Sequence, residues 1–153
     1  MIVWLICKAP RAATAFDGQG ARRYPGRWNH KGTPIIYCAS SLALASLEFF
    51  VHLDPDDWPD DLVSLSAEVP DDLLTDAVDP KTLPSGWSKI PAPVELQDLG
   101  TEWVKSSRGV ALIVPSAIIP NERNVLLNPG HPDMVRVVRQ PLQSFTFDPR
   151  MRQ

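Results

Sequence analysis

The sequence has few of the residues from which disulfide or metal scaffolds are built. Its 153 residues include two cysteines, Cys7 and Cys38, and neither belongs to a Cys-x-x-Cys pair. A disulfide-stapled fold or a thiolate cluster is therefore not the organising principle. Three histidines, His30, His52 and His131, stand at no metal-ligand spacing, and no His-Glu-x-x-His occurs, so no metal site is expected. No run approaches the ~18 apolar residues of a membrane span. The opening MIVWLICKAPR is apolar first and basic afterwards, the reverse of a secretory leader. Excess positive charge is also lacking: the net charge is −3, which argues against direct nucleic-acid binding through a blanket of Lys and Arg. Phosphate and hydrolase signatures are missing too. There is no Gly-Lys-Ser/Thr ending of a P-loop, no Gly-x-Gly-x-x-Gly opening a helix, and no Gly-x-Ser-x-Gly elbow around Ser116. What these absences leave is one soluble, cytoplasmic domain over residues 1–153, with no membrane segment.

What is present is an ordinary globular composition with one outlier. Hydrophobic residues make up 44% and charged residues 22%, enough apolar content for a packed core. Proline, at 16 residues, is roughly twice as frequent as the usual ~5%. Its spread along the chain without a repeat predicts short elements joined by long ordered loops rather than a helix bundle. Ile2–Ile6 reads as a short buried strand, and TPIIYCA (33–39) as a β-branched and aromatic strand after Gly32. Ser40 or Ser41 caps a helix running to about Leu53. Leu62–Val69 alternates, with Val63, Leu65, Ala67 and Val69 on one face and Ser64, Ser66 and Glu68 on the other, a half-buried strand. Leu96, Leu99, Trp103 and Val104 have helical spacing, ending near Arg108-Gly109. Val110–Val114, Val125–Leu127 and, weakly, Leu142–Phe147 read as further strands, while Arg11–Gly26 reads as a loop. Strands outnumber helices in irregular order, which predicts an α+β fold on a mixed, mostly antiparallel sheet.

The most informative segment is SLALASLEFFVHL (41–53). Nearly every position is apolar, and one carboxylate, Glu48, sits in the middle. Such a charge needs a partner or a polar cleft. Upstream, ARRYPGRWNHKG (21–32) gathers Arg22, Arg23, Arg27 and Lys31 among glycines. Arginines match phosphate oxygens bidentately, and glycines let backbone approach a ligand. Tyr37 precedes the helix as either a stacking ring or a core residue. Ser116 follows Pro115 at a strand end, a place from which a polar residue lines a cleft.

The ordered set Gly26-Arg27-Trp28-Asn29, Gly32, Tyr37, Ala45-Ser46-Leu47-Glu48, Val51-His52, Val114-Pro115-Ser116-Ala117, Asn124-Val125-Leu126-Leu127-Asn128-Pro129 and His131-Pro132 resembles the RES-domain family, toxins of Xre–RES toxin–antitoxin pairs. The likeness runs from Trp4 to about Phe147. It implies an ADP-ribosyltransferase-like fold, NAD consumed as substrate with no further cofactor, and an Xre-type antitoxin that blocks the cleft. Residue by residue it implies Arg27, Glu48 and Ser116 at the three signature positions, with Arg23, Tyr37 and Asn128 as further pocket residues. Members often carry an arginine where this chain has Leu5; Lys8, Arg11 or Arg22 could supply that charge.

The chemistry of the bond fits this set. Nicotinamide leaves its ribose as a neutral ring, so departure needs no general acid. The transition state is oxocarbenium-like, and a carboxylate beside the sugar stabilises it. Glu48 is the expected carboxylate, Arg23 and Arg27 the diphosphate ligands, Tyr37 the stacking ring, and Ser116 and Asn128 the positioning donors. The acceptor could be water, phosphate or a protein side chain. Two other classes remain open: a RES domain that binds its antitoxin without turnover, which Leu5 favours, and an RNA-cleaving toxin, suggested only by the basic loop and His30.

Overall fold

A computed structural model of the chain describes residues 1–152. One eight-stranded sheet organises it. Its long strands are β1 (Ile2–Lys8), β2 (Ile36–Ala39), β3 (Leu62–Glu68), β5 (Ala111–Pro115) and β6 (Arg123–Leu127), and three two-residue strands, β4 (Asp76–Ala77), β7 (Val138–Arg139) and β8 (Gln143–Ser144), lie at its margins. The order is β4-β5-β6-β2-β1-β3-β7, with β8 also on β3. Every pair is antiparallel except β4–β5. This is the α+β class that the strand pattern predicts.

Three α-helices accompany the sheet: α1 (Gln19–Arg23), α2 (Leu42–Phe50) and α3 (Val94–Ser106). Ser41 caps α2, its hydroxyl accepting from the Leu44 N–H at 3.1 Å, as a cap must for an orphan donor of the first turn. One face of the sheet buries Val3, Ile36, Cys38, Leu65, Val125 and Leu127 beneath Phe16. The other face carries two clusters. Leu112, Val114 and Leu126 pack with Leu96 and Trp103 of α3. Ile6, Ala39 and Leu62 pack with Leu44 and Ala45 of α2 and with Phe147 of the C-terminal segment. Strand β2 passes from one to the other, Tyr37 on the α3 side and Ala39 on the α2 side.

Several expectations are corrected. Residues 11–26 are not one loop: a 3-10 turn covers Ala9–Thr14 and α1 follows, its first turn started by the Asp17 carboxylate, which accepts from the Gln19 N–H at 2.8 Å. Strand β3 is buried on both faces rather than one, Ser64 and Ser66 included, because Gln140, Pro141 and Gln143 of the tail lie beside them. Helix α3 stops at Ser107, in the left-handed region at φ 50°. Gly109, the expected cap, is small for another reason: a Cβ there would stand 2.7 Å from the Asp76 carboxylate.

Candidate functional site

Glu48 occupies the last turn of α2, half-buried. Its Oε1 accepts two hydrogen bonds, from the Ser116 hydroxyl at 2.8 Å and from the Asn124 amide at 2.6 Å. Strand register explains why these two meet it. Asn124 on β6 lies opposite Ala39 on one side and Val114 on the other. Ser116 follows β5 by one residue, and its N–H donates to the Glu122 carbonyl. Ser116 is fully buried, and its oxygen also accepts from the Ile118 and Ile119 N–H groups at 3.1 Å each. The hydroxyl is thus locked with its proton toward Glu48. Glu48 Oε2 has no hydrogen-bond partner among the described residues and is not a buried orphan; the Asn124 carbonyl oxygen is the buried side-chain atom left without one. One carboxylate oxygen is fixed and the other is open.

Arg27 faces this carboxylate without a direct ion pair. One terminal nitrogen donates to the Trp87 carbonyl at 2.6 Å and the Lys89 carbonyl at 3.0 Å. Burial pulls its guanidinium below the ordinary value, and the charge on Glu48 opposes that shift. The expectation that an arginine pairs Glu48 is therefore replaced: neutral donors hold the carboxylate, and the arginine acts across a gap.

Tyr37 lies diagonally from Asn124 on the same sheet face, a spacing of about 7–8 Å in strand geometry. Its hydroxyl donates to Asn29 Oδ1 at 2.7 Å and accepts from the Trp28 N–H at 3.0 Å. Burial pushes the phenol upward, so it stays a neutral donor. A Cβ on Gly26 would stand 2.8 Å from that hydroxyl, so this glycine makes room for Tyr37. Asn29, fully buried, ties the loop together through the Ala21 and Thr33 carbonyls and the Gly26 N–H. From α3, Gln97 donates to the Gly26 and Asn29 carbonyls, and Thr101 accepts from the His30 N–H.

The remaining two predicted residues stand elsewhere. Arg23 is exposed at the end of α1 with no partner among the described residues. Asn128 is buried; its amide donates to the Val104 carbonyl and its oxygen accepts from the Gly130 N–H. It lies four residues along the chain from Asn124, about 13 Å at strand rise, and holds a turn. Asn124 is the residue that sequence reasoning missed. Of the cations named as substitutes at Leu5, Lys8 pairs with Asp57 at 3.6 Å and Arg22 with Gln19, while Arg11 lines the same cavity as Leu5.

The two supports of Glu48 should separate in a stability measurement. Ser116→Ala orphans two backbone N–H groups and is expected to cost about 1–3 kcal/mol in urea unfolding. Asn124→Ala removes one donor from a half-buried carboxylate and orphans no backbone group, so its cost should be clearly smaller. Equal losses would show that Ser116 does not carry those N–H groups.

The mixed sheet thus presents one half-open carboxylate, Glu48, toward one guanidinium, Arg27, on the side where the half-buried Tyr37 stands. The chain belongs to the RES-domain family, whose profile matches residues 2–148. It is 39% identical over 154 residues to a protein named Toxin Res from Yersinia enterocolitica, covering 99% of this chain and all of that one. It is 41% identical over 152 residues to the Prs ADP-ribosylating toxin of a Sphingobium species, covering 97% of this chain and 94% of the relative. The toxin–antitoxin complex MbcT–MbcA of M. tuberculosis contains a chain of the same fold, with a TM-score of 0.74 at 18% identity, over 95% of this chain and 84% of that one.

Proposed function

We propose that this chain is the toxin of a toxin–antitoxin pair and that it cleaves the nicotinamide–ribose bond of NAD. The observation that carries the reading is the Glu48 carboxylate, fixed at Oε1 by Ser116 and Asn124 and open at Oε2. In the step, the bond between the ribose anomeric carbon and the nicotinamide nitrogen breaks. Its electron pair stays on the nitrogen, which becomes neutral. The sugar carbon gains positive character, and the open Glu48 oxygen stabilises it. An acceptor oxygen from water, phosphate or a protein side chain then bonds that carbon and gives its proton to solvent. Arg27 supplies positive charge toward the diphosphate, and its fixed terminal nitrogen limits how far it can swing. The reading asks for NAD and this acceptor, and for no further cofactor. The relatives' names favour the reading: a toxin that ADP-ribosylates starts from the same bond.

The partner we infer is an Xre-type antitoxin protein, and the working compartment is the cytoplasm, where NAD is available. A second reading, a RES domain that binds its antitoxin without turnover, is favoured by Leu5 on the cavity wall. Incubation of purified chain with NAD separates the two. Turnover predicts release of nicotinamide in equal amount to NAD lost, followed by chromatography; the companion product, free ADP-ribose, its phosphate ester or a modified protein, identifies the acceptor. Folded chain that leaves NAD intact while still binding the antitoxin would establish the second reading.

A further inference from the structure

The sheet face that carries α2 holds a second hollow, on strands β1 and β3. Register sets three residues in one row there: Trp4 on β1, Ser66 on β3, and Gln140, whose N–H donates to the Ser66 carbonyl at 2.9 Å. The adjoining row sets Ile6, Ser64 and Gln143 together. Two serines thus stand between longer neighbours on both sides, and residues two apart share one face of a strand, so β3 becomes the floor of a trough. Its volume is about 400 Å³, with Trp4 on one wall and Gln140 and Gln143 on the other, and Ile2 and Pro141 complete it. Beyond Trp4 the same row continues to Ala39, packed with α2, and to Asn124, the support of Glu48. Ser66 is three strands from Asn124, about 14 Å at strand spacing, so the trough is separate from the Glu48 site.

Its polar groups are uncommitted. Ser64 and Ser66 are only 4% and 7% exposed. Their hydroxyls hold no hydrogen-bond partner among the described residues, yet neither is a buried orphan, so both open into the trough that they line. Hydroxyls that folding removes from bulk water without pairing keep their hydrogen-bonding capacity for a ligand. The Gln140 and Gln143 amides, exposed at the rim, each offer donors and an acceptor. Among the described residues no charged side chain lines the trough, and the charge that register brings beside it is negative, Glu68 opposite Ile2. An indole wall with hydroxyls and amides, and without a cation, suits an uncharged flat ring with donors and acceptors on its edge, and disfavours an anion. The volume lies within the ~300–1,000 Å³ of small-molecule pockets.

We propose that this trough is a second small-molecule site. It binds an uncharged planar heterocycle, a nucleobase or a nicotinamide ring, stacked on Trp4 with its polar edge on Ser64, Ser66 and the glutamine amides. The site does not depend on the reaction proposed above: a chain that leaves NAD intact still carries it.

The test is a titration of the ¹⁵N-labelled whole chain, read at the Trp4 indole N–H, which Trp4→Phe identifies. Adenosine and nicotinamide are the two probes. A saturable Trp4 shift with Kd near or below about 1 mM is expected for at least one of them; which one moves it tells a nucleoside site from a site for the released ring. Trp28 and Trp103, in the α3 cluster, report binding near the Glu48 site separately. Ser66→Leu fills the floor and should weaken the probe about 10-fold or more, as loss of the stacked position does. Gln140→Ala together with Gln143→Ala changes exposed residues alone, should leave the thermal midpoint in place, and should weaken the probe about 3- to 10-fold. AMP should bind no tighter than adenosine, because no cation awaits its phosphate. A Trp4 signal that moves with neither probe at about 10 mM overturns the site, as does affinity within about twofold of the parent in both the filled and the amide-less variants. AMP binding tighter than adenosine, or glucose moving Trp4 at lower concentration than either probe, overturns the assignment of an uncharged planar ring.

Discussion

Glu48→Gln is expected to give a folded protein whose NAD turnover has fallen by at least roughly 100- to 1,000-fold, the range for removing one preorganised electrostatic stabiliser. The substitution is isosteric, and the surroundings dictate how the amide sits. Asn124 presents an amide nitrogen, which only donates, at 2.6 Å from Oε1. The glutamine oxygen must therefore face Asn124 and Ser116, and its nitrogen must point where the free Oε2 stood. Both hydrogen bonds survive, and the thermal midpoint should move little. What disappears is the negative charge that the reading sets opposite the cationic sugar, along with the group that most supports the Arg27 guanidinium against its burial. Loss should appear in kcat, with ADP-ribose binding largely kept, because Arg27 is untouched. Nicotinamide release measured over hours with parent and variant at equal folded concentration gives the ratio. A variant that retains a tenth or more of parental kcat would mean that Glu48 is not the group facing the developing charge.

The sequence made part of this site legible, and the reason lies in which facts are local. A charge alone in an apolar helix is visible within a few residues, so Glu48 stood out, and so did the capping serine at its start. Ser116 was reachable because a polar residue after a proline-terminated strand is a local pattern. Asn124 was not, because NVLLN offers two asparagines of the same parity, Asn124 and Asn128, and only the register of β6 against β2 and β5 decides which one faces α2. The arginine-rich loop misled in a similar way. Its glycines suggested close backbone approach to a ligand, but at Gly26 the close neighbour is the Tyr37 hydroxyl. The single bonded position between β1 and β2 left no mark in the composition of either strand, since both are apolar up to the closing Lys8 of β1. Helix boundaries shifted where side-chain neighbours from distant sequence overruled local preference, as when Gly109 served Asp76 rather than a helix end.

Gly100→Ala is expected to destabilise the protein by about 3 kcal/mol or more, the upper range for forced overpacking, although propensity alone predicts the opposite sign. In the middle of a helix, alanine normally gains about 0.5–1 kcal/mol over glycine. Here the added Cβ would stand 1.8 Å from the Trp28 carbonyl oxygen and 2.8 Å from its carbon. Those atoms are backbone and cannot rotate aside, so α3 or the 26–30 segment must retreat by more than an ångström. Retreat strains the contacts that anchor the segment to α3, from Gln97 to the Gly26 and Asn29 carbonyls and from the His30 N–H to Thr101. Arg27 and Asn29 ride on the same segment, and Tyr37 is bonded to it, so activity should fall with stability. For a chain of this length the midpoint should drop by roughly 10 °C. Gly20→Ala is the matched comparison: Gly20 is also helical, and a Cβ there meets nothing within 4 Å, so the midpoint should hold or rise. If the two variants melt together, the close approach of Trp28 to α3 is not what seats the Arg27 loop, and the anchoring must reside in Gln97 and Thr101 alone.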